Sequence, residues 1–148
     1  MPSRSRTLAF FVVLVALAVM VSTGGAATRR GALVKVSKTP LGRILVDSRG
    51  RTLYLFEKDK SRKSLCSGSC ATFWPPLLTS GKPRAGAGVK AALLGTIKRA
   101  GGARQVTYRR HPLYTFKLEQ AGQTKGEGLT DFGPPFYAVS PTGAAIVK

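Results

Sequence analysis

Cys66 and Cys70 stand four residues apart and are the only cysteines in the chain. In a helical turn, residues at that spacing come within the Cα separation a disulfide requires. Two thiolates so placed, joined by an imidazole, would instead suit Cu(I), which soft sulfur ligands select. That imidazole would be His111, the sole histidine, which precedes Pro112. An oxidising compartment favours the disulfide, and an even cysteine count leaves none over. Closing so short a loop contributes about 2 kcal/mol by the chain-entropy estimate.

The other chemistry-bearing side chains point to structure more than to reaction. Asp59 and Glu119 close apolar stretches, but too few oxygen ligands accompany them for calcium. They are expected to cap turns or pair with nearby Lys and Arg. Tyr54, Phe56, Tyr114, Phe116, Phe136 and Tyr137 could form an aromatic binding surface. At alternate strand positions such residues are expected to pack a core, with Phe56 and Phe116 inside and the tyrosines nearer the rim. No G-x-S-x-G element occurs, and the six carboxylates form no recognisable acid/base pair. The stretch from Arg84 to Gly88 lacks the strand–helix setting of a phosphate loop. The expectation is a protein that is not an enzyme.

The compartment is read from the N-terminus. Arg4 and Arg6 precede an unbroken apolar run of 14 residues, Leu8 to Val21, followed by small residues. Gly25 and Ala27 fit the −3 and −1 positions of a signal peptidase site, making residues 1–27 a signal peptide. As a helix the run spans about 21 Å, short of the roughly 30 Å hydrocarbon layer. An uncleaved N-terminal anchor is the alternative, with Arg29-Arg30 just beyond. Residues 28–148 then form one extracytoplasmic domain, secreted or held at the cell envelope, with a single modest core. Removing Arg4 and Arg6 from 24 Lys+Arg against 6 Asp+Glu leaves a net charge of +16. Such a surface attracts anionic envelope polymers or a membrane surface. No nucleic-acid motif is present, and export argues against that partner.

The elements that must hold these residues are short strands and turns. Three segments read as hairpins: 44–56 around Asp47-Ser48-Arg49-Gly50, 96–108 around Gly101-Gly102, and 136–147 around Ser140-Pro141-Thr142-Gly143. The last suits a type I turn and Gly-Gly a primed one. Leu53, Leu55, Val106 and Tyr108 alternate onto one face of their strands. Cys70–Trp74 and Val89–Leu94 suit a turn or two of helix, the first stopped by Pro75-Pro76. With an offset of 60 and no gap, Val46, Leu53, Tyr54, Phe56 and Asp59 fall on Val106, Leu113, Tyr114, Phe116 and Glu119. The reading is two related units, about 41–78 and 93–148, whose apolar faces need each other. Residues 79–92 are read as a flexible connection.

These residues resemble a secreted-repeat family of unknown function, predicted lipoproteins with a Yx(FWY)xxD motif. Tyr54, Phe56 and Asp59 match that motif. Cys66-Ser67-Gly68-Ser69-Cys70 with Trp74, Pro75 and Pro76 looks like the rest of the first repeat, and Leu93 to Phe116 like the start of the second. Three departures stand out. Glu119 replaces an aspartate, Arg109-Arg110 occupies a turn that is often Asn-Gly in the family, and no lipobox cysteine precedes the domain. A primed turn at Arg109-Arg110 is therefore not expected. The resemblance implies an extracytoplasmic repeat domain. A loose link between some relatives and alkane catabolism finds no supporting residue here.

The fold expected is mostly β: a small antiparallel domain of two hairpin-containing repeats with short helical turns. The function expected is a non-catalytic binding or structural module of unknown ligand, without a cofactor. The alternative is a redox or copper-handling protein using Cys66, Cys70 and His111.

Overall fold

The computed structural model describes Pro2 and residues 29–148; the expected signal peptide, residues 1–27, lies outside the described residues apart from Pro2. Eight short strands carry the fold: β1 Leu33–Thr39, β2 Gly42–Asp47, β3 Tyr54–Phe56, β4 Arg84–Ala85, β5 Leu94–Lys98, β6 Arg104–Tyr108, β7 His111–Pro112 and β8 Phe136–Ala138. Among the described residues one short helix, α1 (Ser69–Phe73), and a 3₁₀ turn at Ala91–Leu93 accompany them. Both fall where short helical turns are expected. The chain is mostly β and its strands pair antiparallel, except for a two-residue parallel contact between β1 and β4.

Two of the three expected hairpins form, one of them with a different turn. β5 and β6 pair from Leu94↔Tyr108 to Lys98↔Arg104. Their turn is not primed: Gly101, at φ 83, sits third in the Arg99–Gly102 turn closed by the Gly102 N–H on the Arg99 carbonyl. That is the position where a type II turn requires positive φ. The C-terminal turn closes with the Gly143 N–H on the Ser140 carbonyl and Val139 opposite Ala145. The first hairpin is only partial. The chain reverses as Asp47 Oδ1 accepts the N–H groups of Arg49 and Arg51, each at 2.9 Å. β3 then pairs with β8, not with β2.

Three corrections follow. A fourth hairpin, β1–β2, turns through Pro40-Leu41, with Thr39 opposite Gly42. The stretch 79–92 is not a loose tether: Thr79 is buried and β4 is hydrogen-bonded to β1. Arg109 and Arg110 do make a two-residue primed turn between β6 and β7, with φ of 46° and 69° and Tyr108 opposite His111. Strand pairing on both sides imposes the left-handed conformation that Asn-Gly would adopt at lower cost.

The two repeats do more than pack together; they exchange a strand. Leu45 N–H donates to the Val139 carbonyl (2.8 Å), Val139 to Leu53 (3.1 Å) and Leu53 back to Leu45 (3.0 Å). The second repeat closes the same ring: Val106 donates to Leu77 (2.8 Å), Leu77 to Leu113 (2.9 Å) and Leu113 to Val106 (3.0 Å). Val139 thus completes the first unit, and Leu77 completes the second. Between them Tyr54 and Tyr114 exchange both backbone bonds, N–H to carbonyl, at 2.9 Å each way. Reciprocity of this kind is the signature of two-fold pairing, here within one chain. The rings also correct the repeat alignment. Leu53 and Leu113 correspond, but Val106 takes the place of Leu45 and not of Val46, because the first turn is one residue longer.

Candidate functional site

β3 is buried on both faces. Leu53 and Leu55 point into one cluster with Leu45, Val106, Tyr108, Leu113 and Val139, so the expected shared face of Leu53, Leu55, Val106 and Tyr108 is present. Tyr54 and Phe56 point the other way, into an aromatic cluster with Trp74, Tyr114, Phe116, Phe136 and the cysteines. Four rings stack in the order Phe116, Trp74, Phe136, Phe56, at centroid separations of 4.5, 3.7 and 4.1 Å. Tyr54 meets Trp74 edge-on at 5.3 Å, and Tyr114 meets Phe136 edge-on at 5.7 Å. The six rings repeat the two-fold: each tyrosine faces, and each outer phenylalanine covers, one of the central pair. Such contacts add to burial roughly 0.5–1.5 kcal/mol per pair.

Phe56 and Phe116 are in the core as expected, but Tyr54 and Tyr114 are fully buried, not at a rim; Tyr137 is half-buried. Their hydroxyls explain it, because each is paired inside. Tyr54 donates to Glu119 Oε2 at 2.7 Å, and Tyr114 donates to Asp59 Oδ2 at 2.7 Å. Each repeat's tyrosine therefore bonds to the other repeat's acid. Each acid also ties down the loop that follows it, Asp59 accepting from the Leu65 N–H and Glu119 from the Gly126 N–H. Of the two expectations for these acids, they bond to backbone N–H groups of the following loops and do not pair with any described Lys or Arg. Among the described residues the ion pair formed is Arg51–Asp47, at 2.7 Å. Burial raises the pKa of both carboxyls, and raises both tyrosines further with help from the adjacent acids. Gly126 must be glycine: a Cβ there would lie 2.8 Å from both Trp74 and Tyr54 ring carbons.

Around Asp59 the network extends to the surface. Tyr114 Oη also lies 2.7 Å from Ser64 Oγ. Arg99 donates to Ser64 Oγ (2.8 Å), to Gln105 Oε1 (2.7 Å) and to the Cys66 carbonyl (2.8 Å). Gln105, buried, donates from its amide Nε2 to the Leu113 carbonyl. No local sequence signal marks Ser64, Arg99 or Gln105, which sequence reasoning missed.

Cys66 and Cys70 form a disulfide with Cα atoms 5.2 Å apart, between the Asp59 loop and α1. Cys66 is fully buried against the aromatic stack. The bridge consumes both thiolates that the copper alternative requires. Among the described residues no group of three or more His, Cys, Asp or Glu side chains is placed to hold a metal ion. Pro75 and Pro76 end α1 and carry the chain to its pairing with Tyr114 and Thr115. No described helix is long and apolar enough to cross a membrane.

The geometry defines a class: a disulfide-bridged β module of two interlocked repeats, joined at a reciprocal Tyr–carboxylate core. The chain belongs to the family described as a secreted repeat of unknown function, which matches residues 35–78 and again 95–138. Comparison with curated proteins and with solved structures found no match.

Proposed function

We propose that the protein is a non-catalytic binding module, exported and held at the cell envelope by attraction to anionic polymers. The observation that carries this reading is the fate of the carboxylates. Asp47 serves Arg51 and its own turn, Asp59 and Glu119 serve tyrosines, and Glu127 accepts the Ala138 N–H. Only Glu57 and Asp131 are exposed. From Arg29 on, every Lys and Arg except Lys35, Arg51 and Arg99 is exposed. The acids hold the fold together and leave a nearly unopposed basic exterior, which draws polyanions in a salt-dependent way. The same engagement of the acids supports the non-catalytic part of the reading.

The test is retention of the full chain, as processed by the cell that makes it, on an immobilised anionic polymer. Retention at about 0.1 M salt and release before about 1 M are expected, as the screening length falls roughly threefold. Failure to bind at 0.1 M would end this reading. Copper bound by the protein as isolated, and lost in Cys66→Ser, would replace it with the metal-handling one.

A further inference from the structure

Arg62, Lys63, Lys98 and Arg99 line one open cleft of about 350 Å³ beside the disulfide, with Ser64 and Ser67 in its wall. No carboxylate lines it; Asp59, in the network behind, gives its oxygens to Tyr114 and to Leu65. Arg99 is held rigid by its three acceptors, leaving two of its five N–H groups unengaged by described residues. The rim is strained as well. Arg62, at φ 64, donates its backbone N–H to the Arg110 carbonyl, and Arg109 and Arg110 also have positive φ. These are the non-glycine residues of left-handed conformation among the described residues, and all three are arginine. Asparagine or glycine adopts that conformation at lower cost, and strain of this kind gathers at ligand sites.

We propose that this cleft is a binding site for phosphate groups, its occupant being the phosphodiester units of an anionic envelope polymer. The inference rests on the polyanion reading above and narrows it to one place and one chemistry. A fixed guanidinium, flexible ammonium groups and the Ser67 hydroxyl line the cleft together, while Ser64 is spent in the network that holds Arg99. A phosphodiester sets two charge-bearing and two ester oxygens tetrahedrally about phosphorus, so it can meet donors that do not share a plane, whereas a carboxylate presents both its oxygens in one plane.

Calorimetric titration of the full chain at about 0.15 M salt compares short-chain polyphosphate with polygalacturonate of matched charge. Arg62→Asn/Lys98→Gln removes two charges from the cleft while keeping a residue that tolerates left-handed φ. Lys38→Gln/Arg43→Gln removes two from the β1–β2 hairpin, where those residues face each other. The cleft pair is expected to weaken polyphosphate binding roughly tenfold, the loss of one charge-assisted hydrogen bond or more. The hairpin pair should cost clearly less, and polygalacturonate should bind more weakly than polyphosphate. Lys98→Gln alone carries the test if the double variant alters Trp74 emission. Equal losses in the two double variants would overturn the cleft and leave the diffuse polyanion reading standing. Equal binding of the two polymers would overturn the phosphate assignment. No binding of either by the unaltered protein would remove both readings.

Discussion

Removing the Tyr54 hydroxyl tests the reciprocal core most directly. Tyr54→Phe leaves Glu119 Oε2 with the Gly126 N–H as its remaining donor, while Oε1 already has none among described residues. A hydrogen bond to a charged group contributes about 1.5–3 kcal/mol, and with Glu119 only 6% exposed the upper part of that range is expected. Tyr114→Phe should cost less, about 1–2 kcal/mol, because Asp59 is half-buried and water can replace the lost donor. The decisive quantity is coupling. Urea unfolding of Tyr54→Phe, Glu119→Leu and the double variant should give an interaction energy of roughly 1 kcal/mol or more, and Tyr114→Phe with Asp59→Leu likewise. The pairs within one motif, Tyr54 with Asp59 and Tyr114 with Glu119, should add to within about 0.5 kcal/mol. Stronger coupling within motifs than across repeats would refute the reciprocal arrangement.

Trp74→Ala should cost about 3–5 kcal/mol, since it empties the centre of the ring stack; thermal unfolding by circular dichroism measures it. Reducing the disulfide, or Cys66→Ser/Cys70→Ser, should cost about 2 kcal/mol without loss of fold, read from the urea midpoint. Arg109-Arg110 replaced by Asn-Gly should raise stability by roughly 1 kcal/mol by relieving left-handed strain, and an unchanged thermal midpoint would count against that turn geometry. Burial raises the Glu119 pKa in the folded state, so the protonated form is the one folding favours. Its contribution is fully present below the unfolded value of about 4 and lost as pH rises through the raised folded value. Glu119→Gln should therefore be more stable than the unaltered protein at pH 7 by a margin that shrinks toward pH 4. A margin constant with pH would show that Glu119 titrates normally.

Local pattern carried the strands, the turns and the doubling. Alternation and paired glycines give β5–β6, Pro141 and Gly143 give the last turn, and the Leu-Tyr-x-Phe signature marks both copies of the central strand. β1 is equally legible, with Val34 and Val36 alternating ahead of Pro40-Leu41-Gly42. What local pattern does not carry is pairing at long range. The partner of the Tyr54 hydroxyl lies 65 residues away, and no property of residues 54–59 points to Glu119. Residue type left the tyrosines ambiguous between core and rim, and the distant acid decides it. The strand exchange is hidden for the same reason: Val139 and Leu77 are ordinary apolar residues until their backbone partners are known. Gapless alignment placed Val46 on Val106 because sequence similarity is blind to a turn one residue longer.

The tyrosine, the phenylalanine two residues on and the acid three beyond it have separate duties. Phenylalanine covers the stack, tyrosine meets a central ring, and the acid is made for the other copy's tyrosine. One repeat alone would bury a hydroxyl without its acceptor and a carboxylate without its donor, each costing on the order of 1–3 kcal/mol. Two repeats satisfy both at once, so the motif works as a docking code between copies. The same arrangement has an electrostatic consequence. Acids recruited inward to join the repeats no longer offset the lysines and arginines outside, so joining the core and making the exterior basic are one design choice. The cleft at Arg62 and Arg99 lies where the two meet, since Arg99 reaches through Ser64 toward the Tyr114–Asp59 pair while lining the surface.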